Sequence, residues 1–323
     1  MEMDISVQKR RLTRNDEVLK QWGEVVLPWL TAKELASISS TCKTLCEVAK
    51  YIIRNRCIDA ARSLEPYPIP FCNIQIHPRY HFFLYCTSPF ISTDRTDASP
   101  ARQAWGSCSE SKYRSSEELP LSQSSFVECY CGSEDGDWNG LESGIMVDCG
   151  PDCRNNVTGR GVNFKLKVIW NDRKGWGLFA DQLIPERTFI CQYAGELLTT
   201  KEARRRQKMY DKLSSREKSS SALLVAREHL PSGTACLRIN IDATRIGNIA
   251  RFINHSCDGG NVASVLVRTS SSLVPRICFF SSREILQGEE LTFSYGETRV
   301  RSNGIQCFCN SPSCLGTLPS ENT

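Results

Sequence analysis

Apolar and polar positions follow two different periods along the chain. Across residues 16–63, Trp22, Val25, Val26, Leu30, Leu35, Ile38, Leu45 and Val48 recur at steps of three and four, the spacing that gives a helix one apolar face. Thr31 followed three residues later by Glu34 predicts a capping box ahead of a helix that begins near Leu35. Cys42 and Cys46 lie one turn apart there and read as packed thiols. From residue 160 the period shortens. Phe164, Leu166, Val168 and Trp170 alternate with smaller or polar positions, and strand-length apolar runs follow at 188–193, 237–241, 261–267, 274–280 and 291–295. One helix interrupts them, with Thr199 and Glu202 as a capping pair ahead of 203–213. Between the two regimes, residues 91–125 hold 10 serines with Pro100 and Pro120, which is linker composition. The pattern predicts an N-terminal helical part, a linker, and a β-rich α+β domain at 160–298.

Composition narrows the function classes. Among 323 residues, 40 basic against 36 acidic leave a net charge of +4, so no global field points to nucleic acid. The first residues, Met1 to Asp4, are charged and lead into no apolar signal core, and no apolar run approaches the length that spans a bilayer. The 17 cysteines are the unusual count; with 4 histidines, any zinc site must be mostly thiolate. Cys307, Cys309 and Cys314 form C-x-C-x4-C on a tail too short to bury a core, a tripod that metal explains better than packing and that needs a fourth ligand from elsewhere. Cys129, Cys131, Cys149 and Cys153 form a second group whose spacing permits one four-thiolate site, with reduced surface cysteines as the alternative.

The remaining motifs exclude more than they assign. Gly175 to Ala180 matches G-x-G-x-x-A, but Pro185 and a strand pattern follow where a dinucleotide fold requires a helix. The two glycines around Trp176 still let backbone amides approach a ligand closely. No H-E-x-x-H and no G-x-S-x-G is present, so metalloprotease and serine-hydrolase readings fail. The densest polar cluster of the strand-rich part is Arg251-Phe252-Ile253-Asn254-His255-Ser256-Cys257.

Gly175-Trp176-Gly177, Tyr193-Ala194-Gly195-Glu196, Arg251 to Cys257, Glu290 to Gly296 and the terminal C-x-C-x4-C stand in that order, and together they resemble the SET-domain protein lysine methyltransferases. The nearest branch is similar to the suppressor-of-variegation type with pre-SET and post-SET segments, in particular its short plant members. The resemblance implies small sheets around a knot-like active site and the following organisation: a helical region at 1–90, a serine-rich linker at 91–126, a reduced pre-SET at 127–159, SET at 160–298 and a zinc-binding post-SET tail at 299–323. It implies that Gly175, Trp176, Gly177, Asn254 and His255 hold S-adenosylmethionine with Arg251 beside them, that Tyr295 is the catalytic tyrosine, and that Tyr193 lines the lysine channel. Phe293 matches the position that discriminates product states, where phenylalanine leaves room for a second or third methyl. Cys257 is then the fourth zinc ligand beside Cys307, Cys309 and Cys314. The implied substrate is a lysine of the histone H3 tail, lysine 9 by family, in a nuclear, chromatin-bound setting with nucleic acid contacted only indirectly.

The chain also departs from that family. Four cysteines stand in 127–159 where the pre-SET usually carries nine, Asn155-Asn156 replaces Asn-Arg, and Ser294 stands where many members have aspartate. Residues 26–30, 35–40 and 42–45 are similar to an F-box, which implies a ubiquitin-ligase adaptor as partner through residues 16–63; a helical support domain is the alternative. A SET scaffold with weak catalysis is a third reading, suggested by the depleted pre-SET. Arg204-Arg205-Arg206 with Lys201 and Lys208 reads as a solvated helix face, with histone or nucleic-acid contact as the sharper alternative.

Overall fold

The computed structural model describes residues 14–72, 80–91, 145–146, 158, 161–214, 221–229, 236–269, 272–296 and 305–319. The second cysteine group (Cys129, Cys131, Cys149, Cys153) lies outside them, as do almost all of the pre-SET and of the linker.

The helical pattern forms α1 (Arg14–Val26), a 3-10 turn at Leu27–Trp29, α2 (Ala32–Ser39) and α3 (Lys43–Ile58). The capping box is present: Glu34 N–H donates to Thr31 Oγ1 at 3.3 Å, and Thr31 N–H donates to Glu34 Oε2 at 2.7 Å. Leu27, Leu35, Leu45, Val48, Ala49 and Ile52 make a small core of their own. Trp22 and Val25, expected on the apolar face, are exposed (49% and 71%). The reason is Gly23: α1 packs on its glycine side, where even a methyl would meet Leu45 and Val48 at 3.4 and 3.5 Å. Cys42 is likewise no core thiol; it is exposed and caps α3, its sulfur accepting from Leu45 N–H.

The strands are β1 (Phe71–Cys72), β2 (Leu84–Tyr85), β3 (Phe90–Ile91), β4 (Ile145–Met146), β5 (Leu166–Asn171), β6 (Gly175–Ala180), β7 (Phe189–Gln192) and β8 (Gly195–Leu197). After α4 (Thr200–Ser214) come β9 (Leu223–His229), β10 (Cys236–Gly247), a 3-10 turn at Ile249–Phe252, β11 (Asn254–His255), β12 (Val262–Thr269), β13 (Ser272–Ser281) and β14 (Thr292–Phe293). They assemble into small mixed sheets: β1-β5-β6, β2-β10-β8-β3 with β9 on β10, β4-β12-β13-β7, and the parallel pair β11-β14. No helix among the described residues is long and apolar enough to cross a membrane.

The expected boundary at residue 90 does not separate two cores. β1, β2 and β3 pair in parallel with β5, β10 and β8, and Ala60, Ile69, Phe71, Phe83 and Tyr85 belong to the main core. Two-residue parallel edges carry no alternation that a sequence pattern could reveal. Arg56 joins the helices to this core. Fully buried on α3, it donates to the Pro28 and Leu30 carbonyls (2.6 and 2.9 Å) and to Tyr80 Oη (3.0 Å), and it lies over the Phe82 ring at 4.4 Å.

Candidate active site

The β5–β6 hairpin turns at Asp172–Lys174, where Asn171 Oδ1 accepts the Arg173 and Lys174 N–H groups, and Gly175 leaves the turn at φ +82°. Trp176 stacks edge-on against Trp170 (5.2 Å) and Phe71 (5.1 Å). Gly177 must stay without a side chain: a Cβ there would sit 2.7 Å from Glu290 Oε1 and 3.1 Å from Asn254 Nδ2. Those two groups bond each other at 2.8 Å, Asn254 Nδ2 also reaches the Trp176 carbonyl at 3.3 Å, and Lys174 Nζ closes on Glu290 Oε2 at 2.7 Å. Gly175, Trp176, Gly177 and Asn254 thus converge on a half-buried carboxylate that the motifs contained but did not single out.

Parallel pairing of β11 with β14 brings the two densest motifs together: Asn254 opposes Thr292, and His255 opposes Phe293. Gly260, at φ +75°, lets the chain cross Thr292, whose carbonyl oxygen would lie 2.2 Å from any Cβ. The Tyr295 hydroxyl donates to the Ile253 carbonyl at 2.9 Å, and its N–H donates to His255 Nδ1 at 3.1 Å. Although 39% of Tyr295 is exposed, burial of its phenol and the charge of Glu290 raise its pKa above the ordinary value. From Tyr295 a chain of rings runs inward: Phe293 at 4.9 Å, Phe279 a further 4.8 Å on, then Tyr193 at 6.3 Å. Tyr193 is buried and donates to the Ala222 carbonyl at 2.7 Å; burial pushes its pKa up as well. Phe279 is fully buried at the centre of this wall, and only its place in an apolar run marked it.

Arg251 packs against the N-terminal segment. Its guanidinium donates to the Thr244 carbonyl (3.1 Å), lies 2.9 Å from His81 Nε2, and packs over Phe83 and Phe252. Burial holds its pKa down at about 10 and takes His81 down to about 3, so His81 is a neutral acceptor. Arg251 therefore ties the N-terminal segment to the motif. Phe252 stacks on both Phe71 and Phe83, so the same segment also backs Trp176.

Cys257, Cys307, Cys309 and Cys314 come together with their sulfur atoms all within 4.8 Å of one another, and Cys257 lies 3.8 Å from Cys307. Four Zn–S bonds of about 2.3 Å in a tetrahedron require sulfur separations of about 3.8 Å, so the donor set fits zinc. Burial raises the Cys307 thiol to about 12; at Cys309, N–H donation from Cys257 and Ser311 outweighs burial and lowers it to about 6. His255 Nε2 lies 3.3 Å from Cys257 Sγ, so one imidazole touches both the cysteine cluster and the Tyr295 backbone.

Comparison with known proteins followed the same lines. A SET domain profile matches residues 175–296. The histone-lysine N-methyltransferase SUVR3 of Arabidopsis thaliana is 50% identical over 326 residues, covering 93% of this chain and 91% of the relative. The methyltransferase domain of human SETMAR superposes with a TM-score of 0.58 at 25% identity, covering 81% of this chain and 97% of that one. KRYPTONITE, solved with mCHG DNA and SAH, superposes at 0.56 with 23% identity over 81% of this chain and 53% of its own, a likeness of fold. None of these names refers to ubiquitin ligation.

Proposed function

The chain belongs to the SET-domain histone-lysine N-methyltransferases, and from that premise we propose that it methylates lysine 9 of the histone H3 tail in chromatin. The observation that carries the reading is the meeting of Tyr295, Phe293 and Tyr193 with Gly177 and Asn254 across the β11–β14 pair. Gly175, Trp176, Gly177, Asn254 and His255 would hold S-adenosylmethionine, which supplies an activated methyl on a sulfonium. The same proposal assigns Cys257, Cys307, Cys309 and Cys314 to one structural zinc, leaves Cys129, Cys131, Cys149 and Cys153 as a second thiolate site, and divides the chain after residue 126 into pre-SET (127–159), SET (160–298) and post-SET (299–323).

The side chains suit the chemistry. A lysine amine has a pKa of about 10.4 and must lose a proton before it can attack. A ring-lined channel disfavours its charged form. With its pKa raised, Tyr295 stays protonated at neutral pH, so no tyrosinate is at hand to act as the base. With its proton given to Ile253, its oxygen keeps lone pairs free to accept an N–H and aim the amine. Alignment of this kind supplies a large share of a transfer rate. Phe293 presents no hydroxyl to the channel, which supports addition of more than one methyl. A nuclear, chromatin-bound location follows from this substrate.

Transfer of labelled methyl groups to an H3 tail peptide, with a Lys9→Arg peptide as control and metal counted by mass spectrometry, tests the reading. Label on the parent peptide, loss of it on the control and one or two zincs per chain are expected. Equal labelling of both peptides would remove lysine 9, and silence of the parent protein alongside Tyr295→Phe would remove the enzyme.

A further inference from the structure

Helix α4 carries a charge arrangement that the catalytic reading leaves unused. Its inner side is settled: Ala203 and Tyr210 are buried, and Arg206 reaches Glu196 (2.5 Å), Asp242 (2.8 Å) and Glu202 (2.9 Å). Tyr210 donates to the same Asp242 carboxylate at 2.7 Å, and Glu202 takes Arg205 as well. Glu196, Asp242 and Glu202 are thereby spent on fastening it to β8 and β10, while exposed Asp211 is held by Gln207 at 2.8 Å. On the outer side Lys201, Arg204 and Lys208 are exposed at steps of three and four, a single stripe, and none has an ion-pair partner among the described residues. Exposed Lys212 extends the stripe by a turn, to a length of about 16 Å at 1.5 Å per residue.

The neighbouring hairpin adds charge of the same sign. The β9–β10 register sets Arg227 directly opposite Arg238, and Arg238 shares its face of β10 with Asp242, the residue that holds α4. Arg238 Nε also donates to Asn240 Oδ1 at 2.9 Å. Helix α4 itself carries six basic residues against the two acids Glu202 and Asp211.

We propose that this face, with Lys201, Arg204 and Lys208 at its centre, lies along the sugar–phosphate backbone of the DNA on the nucleosome whose H3 tail is methylated. The proposal rests on the nucleosomal-substrate reading above. A straight row of mobile cations with no aromatic among them matches a regular, sequence-independent line of single negative charges.

The test uses the full chain carrying Lys201→Gln, Arg204→Gln and Lys208→Gln, with Lys201→Arg, Arg204→Lys and Lys208→Arg as the charge-retaining control. Binding to a random-sequence DNA duplex is measured across salt concentrations without cofactor, and methylation is measured on H3 peptide and on nucleosomes. The Gln variant should flatten the log K against log[salt] slope by about 2–3, since each lost phosphate contact removes about 0.9. Its KM for nucleosomes should rise about tenfold while kcat/KM on peptide stays within about twofold, and the control should behave as the parent. Unchanged duplex binding and slope would overturn the proposal. So would a nucleosome defect with duplex binding intact, which would point to an acidic histone surface, or an equal loss on peptide and nucleosome. Because the duplex arm needs no turnover, it decides the matter even if the parent methylates neither substrate.

Discussion

On one side of the β11–β14 pair, Tyr193, Phe279, Phe293 and Tyr295 meet ring to ring at 4.8–6.3 Å. On the other, Gly177, Asn254, Glu290 and Lys174 meet through polar contacts of 2.7–3.3 Å. The ring wall keeps its shape when a hydroxyl is removed, because dispersion contacts are many and individually weak. The polar wall does not: taking away one partner leaves a half-buried charge or amide without compensation. One wall should therefore yield losses of chemistry with binding intact, and the other losses of binding.

The sharpest division comes from Tyr295→Phe, which spares the ring. Its kcat should fall about 10²–10³-fold, as for loss of one hydrogen-bonding group at a reacting centre, with the cofactor Kd within about twofold by calorimetry. A matching loss in Kd would merge the two walls. Gly177→Ala drives a methyl into Glu290 and Asn254, and should weaken cofactor binding about tenfold to a hundredfold while the ring wall survives. Cys314→Ser should release the zinc, seen as loss of metal by mass spectrometry, and lower kcat/KM about tenfold through His255, which touches both the cluster and Tyr295. Phe293→Tyr should change the rate only about two- to threefold but shift the products toward monomethyl-lysine, read by mass spectrometry; an unchanged product ratio would remove Phe293 from product control.

The smallest effect concerns the backing shared by both walls. His81 has a folded pKa near 3 against an ordinary value of 6.5, so the folded protein resists its protonation. The stability it contributes is present above pH 6.5 and is lost as the pH falls from there toward 3, by an amount on the order of a few kcal/mol. In His81→Gln, denaturant midpoints measured from pH 7 to 4 should fall less steeply than in the parent.

What could be read from the sequence follows from the range of the interactions. The helices, most of the longer strands and the five ordered motifs were legible because each is local, whereas β6 and β9 were not read as strands. Cys257 was reachable through family resemblance, whereas spacing alone stopped at the tripod. Glu290 and Lys174 were not singled out, since a carboxylate among charged neighbours looks like surface until folding sets it against Gly177 and Asn254. The strand roles of Phe71, Tyr85 and Phe90 were hidden for a similar reason: two-residue parallel edges depend wholly on partners about a hundred residues away or more. The link from Arg251 to His81 was not legible either, because it joins residues 170 positions apart.

The β11–β14 pair also sets an order of events. It is two residues long and closes about forty residues of intervening chain, so little is gained until the sheets on either side have formed. The site should thus assemble late in folding and open early on warming. Loss of turnover at temperatures where far-ultraviolet circular dichroism is still native would be its signature, and S-adenosylmethionine, if held by Gly177 and Asn254 as proposed, should narrow the gap between the two transitions.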